Sequence, residues 1–385
     1  MPFSDAKGRS MMQTTELTTE LSTPYYLIDE AKLRRNLETV NTIRERSGAK
    51  SVLALKCFAT WSTFAIMRDY LDGTTSSSLY EAQLGFEEFG KEVHAYSVAF
   101  SADDIRALQP FASKIIFNSI SQLESLRPLT GDVPLGLRVN PSISYSHYDL
   151  ADPARRFSRL GVVDVAEVMR VLPQLSGLMF HFNCENTDVD QLSGAIDLIS
   201  ARYADALHQV QWVSLGGGIA FNSDGYALDQ LCARLKQLAE DFGVQVYLEP
   251  GDTLVTGCTE LVATVLDVVR NEREIAIVDS SLEAHMLDHL IYQTNPKLNA
   301  PAAGTHEVMI AGKTCLAGDV FGTYQLEKPL HVGDQIHVAD AAGYTMVKTN
   351  WFNGLRMPAI AIRGLDGQTS VVRRFDYHDF KRNLS

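Results

Sequence analysis

The sequence predicts an α/β protein, a (β/α)8 TIM barrel followed by a C-terminal mostly-β domain. Three observations carry that prediction. The first is an alternation of short apolar runs with amphipathic stretches across the first two thirds of the chain. The second is a change of texture after about Gly257, where β-rich stretches follow one another with Gly and Pro between them and few helical patterns. The third is length, since 385 residues are enough for two domains.

The apolar runs number eight, at 51–55, 73–77, 93–98, 114–118, 135–140, 177–182, 211–215 and 245–249. Stretches such as 79–89 and 227–242 repeat apolar residues at helical spacing and supply the helices between them. Eight such repeats fit a closed barrel, with a doubly wound open sheet as the structural rival. Downstream, 259–269, 274–278, 307–311, 335–339, 345–347 and 370–374 read as strands. The early run Tyr25-Tyr26-Leu27-Ile28 precedes the first barrel helix and is assigned to the second domain as an added strand. The expected division is a flexible N-terminal extension at 1–22, a barrel at 29–256, and a β-domain made of 23–28 and 257–385.

Composition excludes several classes. Hydrophobic residues make up 45% of the chain and the mean hydropathy is close to zero, without an apolar run long enough to span a bilayer. The first residues lack the charged-then-apolar pattern of a secretion signal. Cys57, Cys184, Cys232, Cys258 and Cys315 are scattered and never form a CxxC pair, which argues for reduced thiols in the cytoplasm and against a structural zinc site. No metal ligand set is expected. A net charge of −13 disfavours nucleic acid and anionic membranes as partners and suits a cationic small molecule, although many acidic proteins are acidic for solubility alone.

In a barrel the strand C-termini build the active site. Lys56 ends the first run and places one amine there; Arg138, His181, the triplet Gly216-Gly217-Gly218 and Glu249 lie at or just beyond the ends of later runs. An amine that forms a Schiff base, backbone N–H groups that cradle a phosphate, and a carboxylate that keeps a pyridine nitrogen protonated are the requirements of a pyridoxal 5'-phosphate enzyme. A neutral imidazole at His181 suits stacking on the cofactor ring, and Tyr344 in Ala342-Gly343-Tyr344 offers a phenol to the phosphate. Cys315, in Lys313-Thr314-Cys315-Leu316-Ala317-Gly318-Asp319, is a candidate reactive thiol. Each residue alone has a plainer reading: a lysine capping a strand, a core histidine, a tight glycine turn, a turn carboxylate, a buried thiol, a packed tyrosine. Their shared position at strand ends is what favours the catalytic reading.

The segments Ala54-Leu55-Lys56-Cys57-Phe58-Ala59, Phe180-His181-Phe182-Asn183-Cys184-Glu185-Asn186, Cys315-Leu316-Ala317-Gly318-Asp319 and the run from Gly343-Tyr344-Thr345-Met346-Val347-Lys348 through Thr349-Asn350-Trp351-Phe352-Asn353-Gly354 resemble the fold-type III, alanine racemase-like decarboxylases. That group contains ornithine, arginine and diaminopimelate decarboxylases. The resemblance runs from about Thr23 to the C-terminus and is strongest to the branch acting on carboxynorspermidine and carboxyspermidine. It implies that Lys56 holds the cofactor, that His181 stacks on its ring, and that Gly217, Gly218, Gly251 and Tyr344 receive its phosphate. It further implies that Glu249 binds the pyridine nitrogen, that Arg138 lies near the cofactor's face, and that Cys315 reaches the active site of a partner subunit in a homodimer and returns a proton after CO2 leaves. Asp288, in Met286-Leu287-Asp288-His289, matches an aspartate that binds the distal amine in the ornithine enzyme.

Departures from the family pattern narrow the substrate. The common Glu-Pro-Gly-Arg is Glu249-Pro250-Gly251-Asp252 here, an anion in place of a cation. Leu316 follows Cys315 where relatives often carry an acid, and Thr75 stands where some relatives have one. An acidic groove drawn from Asp288, Glu283, Asp319 and Asp252 is expected to take the polycationic tail, the last three on the sign of their charge and their loop positions alone. The expectation is a decarboxylase that makes norspermidine and spermidine in polyamine biosynthesis. The alternatives are a decarboxylase of ornithine, arginine or diaminopimelate, and a non-catalytic cofactor-binding or regulatory protein.

Overall fold

Residues 21–146, 148–300 and 304–385 are described by the computed structural model, so most of the extension expected at 1–22 lies outside the described residues. Eight parallel strands close on themselves: β2 (Lys50–Ala54), β3 (Gly73–Ser76), β4 (Glu92–Tyr96), β5 (Lys114–Phe117), β6 (Leu135–Arg138), β7 (Gly177–Met179), β8 (Trp212–Ser214) and β9 (Gln245–Leu248), with β9 pairing back to β2. All eight coincide with the apolar runs of the sequence, because strands buried on both faces read as continuous apolar segments. The open-sheet rival is excluded by closure.

Helices wrap the barrel with one apolar stripe each. The helix Glu30–Ser47 buries Leu33, Leu37, Val40 and Ile43 against it, spaced for one face. It starts where the Asp29 carboxylate accepts from the Lys32 amide at 2.9 Å and stops at Gly48, whose φ of 73° only glycine adopts readily. Inside the barrel, Val52, Tyr96, Ile116, Met179, Trp212 and Tyr247 fill the space. Trp212 fits because its neighbours are small: a Cβ on Gly177 would lie 2.1 Å from the indole.

The barrel floor is ionic. Glu92, from the start of β4, accepts from Lys50 at 2.5 Å, from Lys114 at 2.8 Å and from the Tyr247 hydroxyl at 3.0 Å, with His94 Nε2 3.0 Å away. Burial pushes the Glu92 carboxyl up, but hydrogen bonds from His94, Lys114 and Lys50 outweigh it and hold the group well below the usual range. Burial pulls Lys114 down, opposed by its bond to Glu92.

The second sheet contains β1 (Tyr25–Asp29), β10 (Thr259–Asn271), β11 (Arg273–Val278), β12 (His306–Ala311), β13 (Val320–Leu326), β14 (Gln335–Val338), β15 (Ala359–Arg363) and β16 (Thr369–Arg373). Its order is β13-β12-β11-β10-β1-β15-β16, with β14 also on β10. The 13-residue β10 serves two neighbourhoods: its first half pairs with β1 and β14, its second half with β11 after a bulge between Val265 and Asp267. Strand β1 pairs antiparallel with β10 and parallel with β15.

Three differences from the sequence reading are found here. Residues 345–347 are not a strand, because Tyr344 turns the chain at φ 52° and Met346–Lys348 form a 3-10 turn bonded back to Ala342 and Thr345. β13 and β15 were not anticipated; Gly322 interrupts the apolar pattern of the first, and long-range pairing with β1 stabilises the second. Two short helices, Leu282–His285 and Leu287–Tyr292, follow β11.

Glu92→Gln keeps the shape of the floor and removes its charge. A folded-state pKa held below the ordinary 4.5 contributes stability that is full above that value and is lost as the pH falls further. The variant is expected to lose about 1–3 kcal/mol at pH 7 in urea unfolding. The deficit should shrink at pH 3; an equal deficit at both pH values would assign it to packing.

Candidate active site

The chain turns sharply after β2. The amides of Cys57 and Phe58 both donate to the Ala54 carbonyl, at 3.0 and 3.3 Å, and Leu55, Cys57 and Phe58 are buried. Lys56 alone on this turn has an exposed side chain. The residue keeps its accessibility within the barrel mouth, while surrounding protein displaces the hydration of its amine. Desolvation first and the Arg138 guanidinium second lower its pKa, against the opposing pull of Glu249.

Glu249, at the tip of β9, is buried, with Oε1 accepting from Ser214 Oγ at 2.5 Å and Oε2 from Thr75 Oγ1 at 3.4 Å. His181 follows β7. The Gly217 amide donates to its Nδ1 at 3.1 Å, which leaves the proton of the neutral ring on Nε2. Burial, then the positive charges of Lys56 and Arg138, drive its pKa well below the usual value, so the ring is neutral. Arg138, at the tip of β6, is 4% exposed; it donates to the Tyr96 hydroxyl at 2.8 Å and the His181 carbonyl at 3.4 Å. Among the described residues this buried guanidinium meets no carboxylate.

The glycine loops meet closely. A Cβ on Gly217 would lie 2.2 Å from the Glu249 carbonyl oxygen, one on Gly218 2.3 Å from that of Asn183, and one on Gly251 2.6 Å from Cys57 Cβ. Among the described residues the amides of Gly218 and Gly251 find no acceptor. Gly217 departs from the sequence reading: its amide is already given to His181 and is not free for a phosphate. Tyr344 is joined to the Lys56 turn by its amide, which donates to the Cys57 carbonyl at 2.9 Å, and burial raises its phenol well above the usual value. Two unaccepted amides, a buried guanidinium without an anion, and glycine loops packed too closely for any side chain fit a phosphate-bearing planar cofactor.

The four acids assigned to the substrate tail divide. Asp252 borders Gly343 and is pushed up to about 6 by burial, then by the charges of Asp340, Glu185 and Asp288. Asp288 is ion-paired with Lys348. Glu283 accepts from Asn350 at 3.2 Å through Oε1, while its buried Oε2 has no partner. Asp319 is a correction: it is 2% exposed, and its oxygens accept from the Leu282 amide, the Thr314 amide and the Thr314 hydroxyl at 2.7, 3.1 and 2.6 Å, so it braces a loop. Cys315 is exposed, its amide donating to Asn353 Oδ1 at 2.6 Å, and it is not among the groups that bear on Lys56.

Ser214, Tyr96 and Glu81 were missed in the sequence. Ser214 directly precedes the glycine triplet and could have been found there; Tyr96 and Glu81 act through contacts distant in sequence. A surface groove of about 690 Å3 at the opposite end of the barrel, lined by residues such as Arg127, Asp132, Ser176 and Gln211, borders strand starts and contains none of these groups.

The pyridoxal-dependent decarboxylase family, in its C-terminal sheet domain, matches residues 194–342. A carboxynorspermidine/carboxyspermidine decarboxylase of Herminiimonas arsenicoxydans is 53% identical over 95% of this chain and 100% of its own. A carboxyaminopropylagmatine decarboxylase of Synechocystis is 35% identical over 94% of this chain and 96% of its own. The crystal structure of carboxynorspermidine decarboxylase from Campylobacter jejuni, complexed with norspermidine, superposes with a TM-score of 0.85 at 35% identity, covering 94% of this chain and 99% of that one. With its barrel, its sheet domain and its strand-end lysine, the chain belongs to the carboxynorspermidine/carboxyspermidine decarboxylase family of pyridoxal phosphate-dependent enzymes.

Proposed function

We propose that the protein decarboxylates carboxynorspermidine, and carboxyspermidine, to norspermidine and spermidine. The observation that carries this reading is the sign of the charge beyond the cofactor set. Asp252 lies against Gly343, and burial first, then the charges of Asp340, Glu185 and Asp288, raise its pKa; of these acids, among the described residues, only Asp288 has an ion-pair partner. A substrate whose tail bears two ammonium groups supplies positive charge there, whereas the distal carboxylate of diaminopimelate would be repelled.

The roles follow from position. Lys56 would hold the aldehyde of pyridoxal phosphate, Gly218, Gly251 and Tyr344 its phosphate, Glu249 its ring nitrogen, and neutral His181 its face, with Arg138 supplying a cation beside them. When bound, the cofactor supplies an electron sink for the pair left by the departing carboxylate. A lowered pKa gives Lys56 a larger neutral fraction for nucleophilic attack. Glu249, held by Ser214 and Thr75, keeps a proton at the ring nitrogen. The neutral His181 ring adds no charge against that proton. Cys315 of the partner subunit donates a proton to the substrate α-carbon, which makes the enzyme a homodimer with shared sites. Exposure of Cys315 and its lack of contact with its own Lys56 support this assignment. Five unpaired cysteines support a cytoplasmic location, and no helix among the described residues is long and apolar enough to cross a membrane.

The deciding experiment is CO2 release by cofactor-loaded protein from carboxynorspermidine, with ornithine and meso-diaminopimelate alongside. Release from the triamine alone is expected. Preference for either amino acid would overturn the substrate, and no release despite bound cofactor would favour a non-catalytic role. Lys56→Ala is expected to abolish turnover and the visible absorption band of the bound cofactor; full turnover in that variant would refute the assignment. Cys315→Ala should lower kcat by about a hundredfold or more while the band persists, and loss of the band would mark Cys315 as structural.

The pH dependence follows from Asp252. Above about 6 it is ionised and attracts the tail; below, it is neutral. KM for the triamine should therefore rise as the pH falls from 7 to 5, and Asp252→Asn should flatten that rise. A dependence of equal size in the variant would place the titrating group elsewhere.

A further inference from the structure

Asp288 is not a free carboxylate. Lys348, in the turn Met346–Lys348, donates to its Oδ1, and the same ammonium lies 5.3 Å from the centroid of the Tyr344 ring. The side chains of Lys348 and Asp288 keep 34% and 21% of their accessibility, so the pair borders the mouth and is within reach of a ligand. Of the neighbouring acids, Asp340 accepts from the Gly257 amide at 2.7 Å, and among the described residues neither Asp252 nor Glu185 has an ion-pair partner. The resident ammonium is thus held by one carboxylate of the group, Asp288.

We propose that Lys348 is a specificity-determining residue, an internal ammonium held on Asp288 that makes the tail pocket favour substrates with two tail ammonium groups over amino acids with one. This rests on the function proposed above. A single-ammonium tail that reaches Asp288 exchanges one ammonium for another. The displaced Lys348 remains tethered nearby, so the Coulomb gain is close to cancelled while the cost of ordering the tail remains. If Lys348 keeps its place, Asp288 is closed to such a tail, with the same selectivity. A triamine tail carries a second ammonium to Asp252 and Glu185, whose charges no side-chain cation offsets. Lys348 therefore turns an acid suited to one distal amine into part of a pocket that rewards two.

The rival account is that Lys348 only braces Asp288 against Tyr344. Lys348→Met and Lys348→Arg in the cofactor-loaded enzyme separate the two, with Lys348→Gln as a substitute should the Met variant melt early. Two readouts are used: the ratio of kcat/KM for carboxynorspermidine to that for ornithine, and calorimetric binding of norspermidine against putrescine. The Met variant is expected to narrow both preferences by about three- to tenfold through gains for ornithine and putrescine, the range for a partly open ion pair. The Arg variant should keep them. Parallel losses for both ligands in the Met variant, or an Arg variant that behaves like Met, would overturn the proposal. If the wild type releases no CO2 from carboxynorspermidine, the function reading fails by itself, and the amine-binding comparison still decides the role of Lys348.

Discussion

Three backbone segments meet at the barrel mouth so closely that no side chain fits between them, and the active site depends on that approach. Gly217 faces the Glu249 carbonyl, Gly218 faces Asn183, and Gly251 faces Cys57. These contacts lock the ends of β7, β8 and β9 to the turn after β2. In that frame the Gly217 amide reaches His181 Nδ1 and fixes which ring nitrogen carries the proton. The Ser214 hydroxyl reaches Glu249 and also accepts from the Gly216 amide, so carboxylate and glycine loop share one anchor. A methyl group at any of these glycines would push apart the groups whose relative position the chemistry requires.

Charge is partitioned along the barrel axis. At the floor, Glu92 is matched by Lys50 and Lys114, and the cluster closes on itself with Tyr247 and His94. At the mouth, Lys56 and Arg138 lie beside Glu249, and Lys348 sits on Asp288, while Asp340, Glu185 and Asp288 act together on Asp252. A satisfied cluster stabilises a fold but has little left for a ligand, whereas an unbalanced one costs stability and can be relieved by binding. The acidic balance of the whole chain is therefore less informative than where the unmatched part of it sits.

The barrel was legible because buried parallel strands are apolar along their whole length, and because strand ends in such a barrel carry function wherever they fall. Lys56, Arg138, His181 and Glu249 were singled out by that rule, and the fold brings them together. What was not legible depends on partners remote in sequence. Asp319 looked like a free acid until Leu282 and Thr314 were seen to occupy its oxygens. Gly217 looked like a phosphate donor until His181, 36 residues away, was seen to accept its hydrogen bond. Residues 345–347 have the apolar and β-branched character of a strand, but no neighbour is aligned to pair with them, and the turn at Tyr344 decides their conformation. Lys348 lay in the run that carries the resemblance but showed nothing of its partner, since an ion pair across 60 residues leaves no local pattern.

The segment from Gly343 to Gly354 explains why so distinctive a stretch is needed in a loop. Tyr344 ties it to the Lys56 turn, Lys348 to Asp288, and Asn350 to Glu283 and the Ala284 carbonyl. Asn353, at φ 54°, accepts from the Cys315 amide, and Trp351 packs on Phe375 and Phe380. Asparagine tolerates the left-handed backbone better than other non-glycine residues, and its amide oxygen is the group that fixes the cysteine loop. One short segment thus touches the cofactor turn, the tail acids and the thiol. Through covalent chain and hydrogen bonds alone, the segment therefore fixes the Cys315 loop relative to the Lys56 turn, although the two are more than 250 residues apart in sequence.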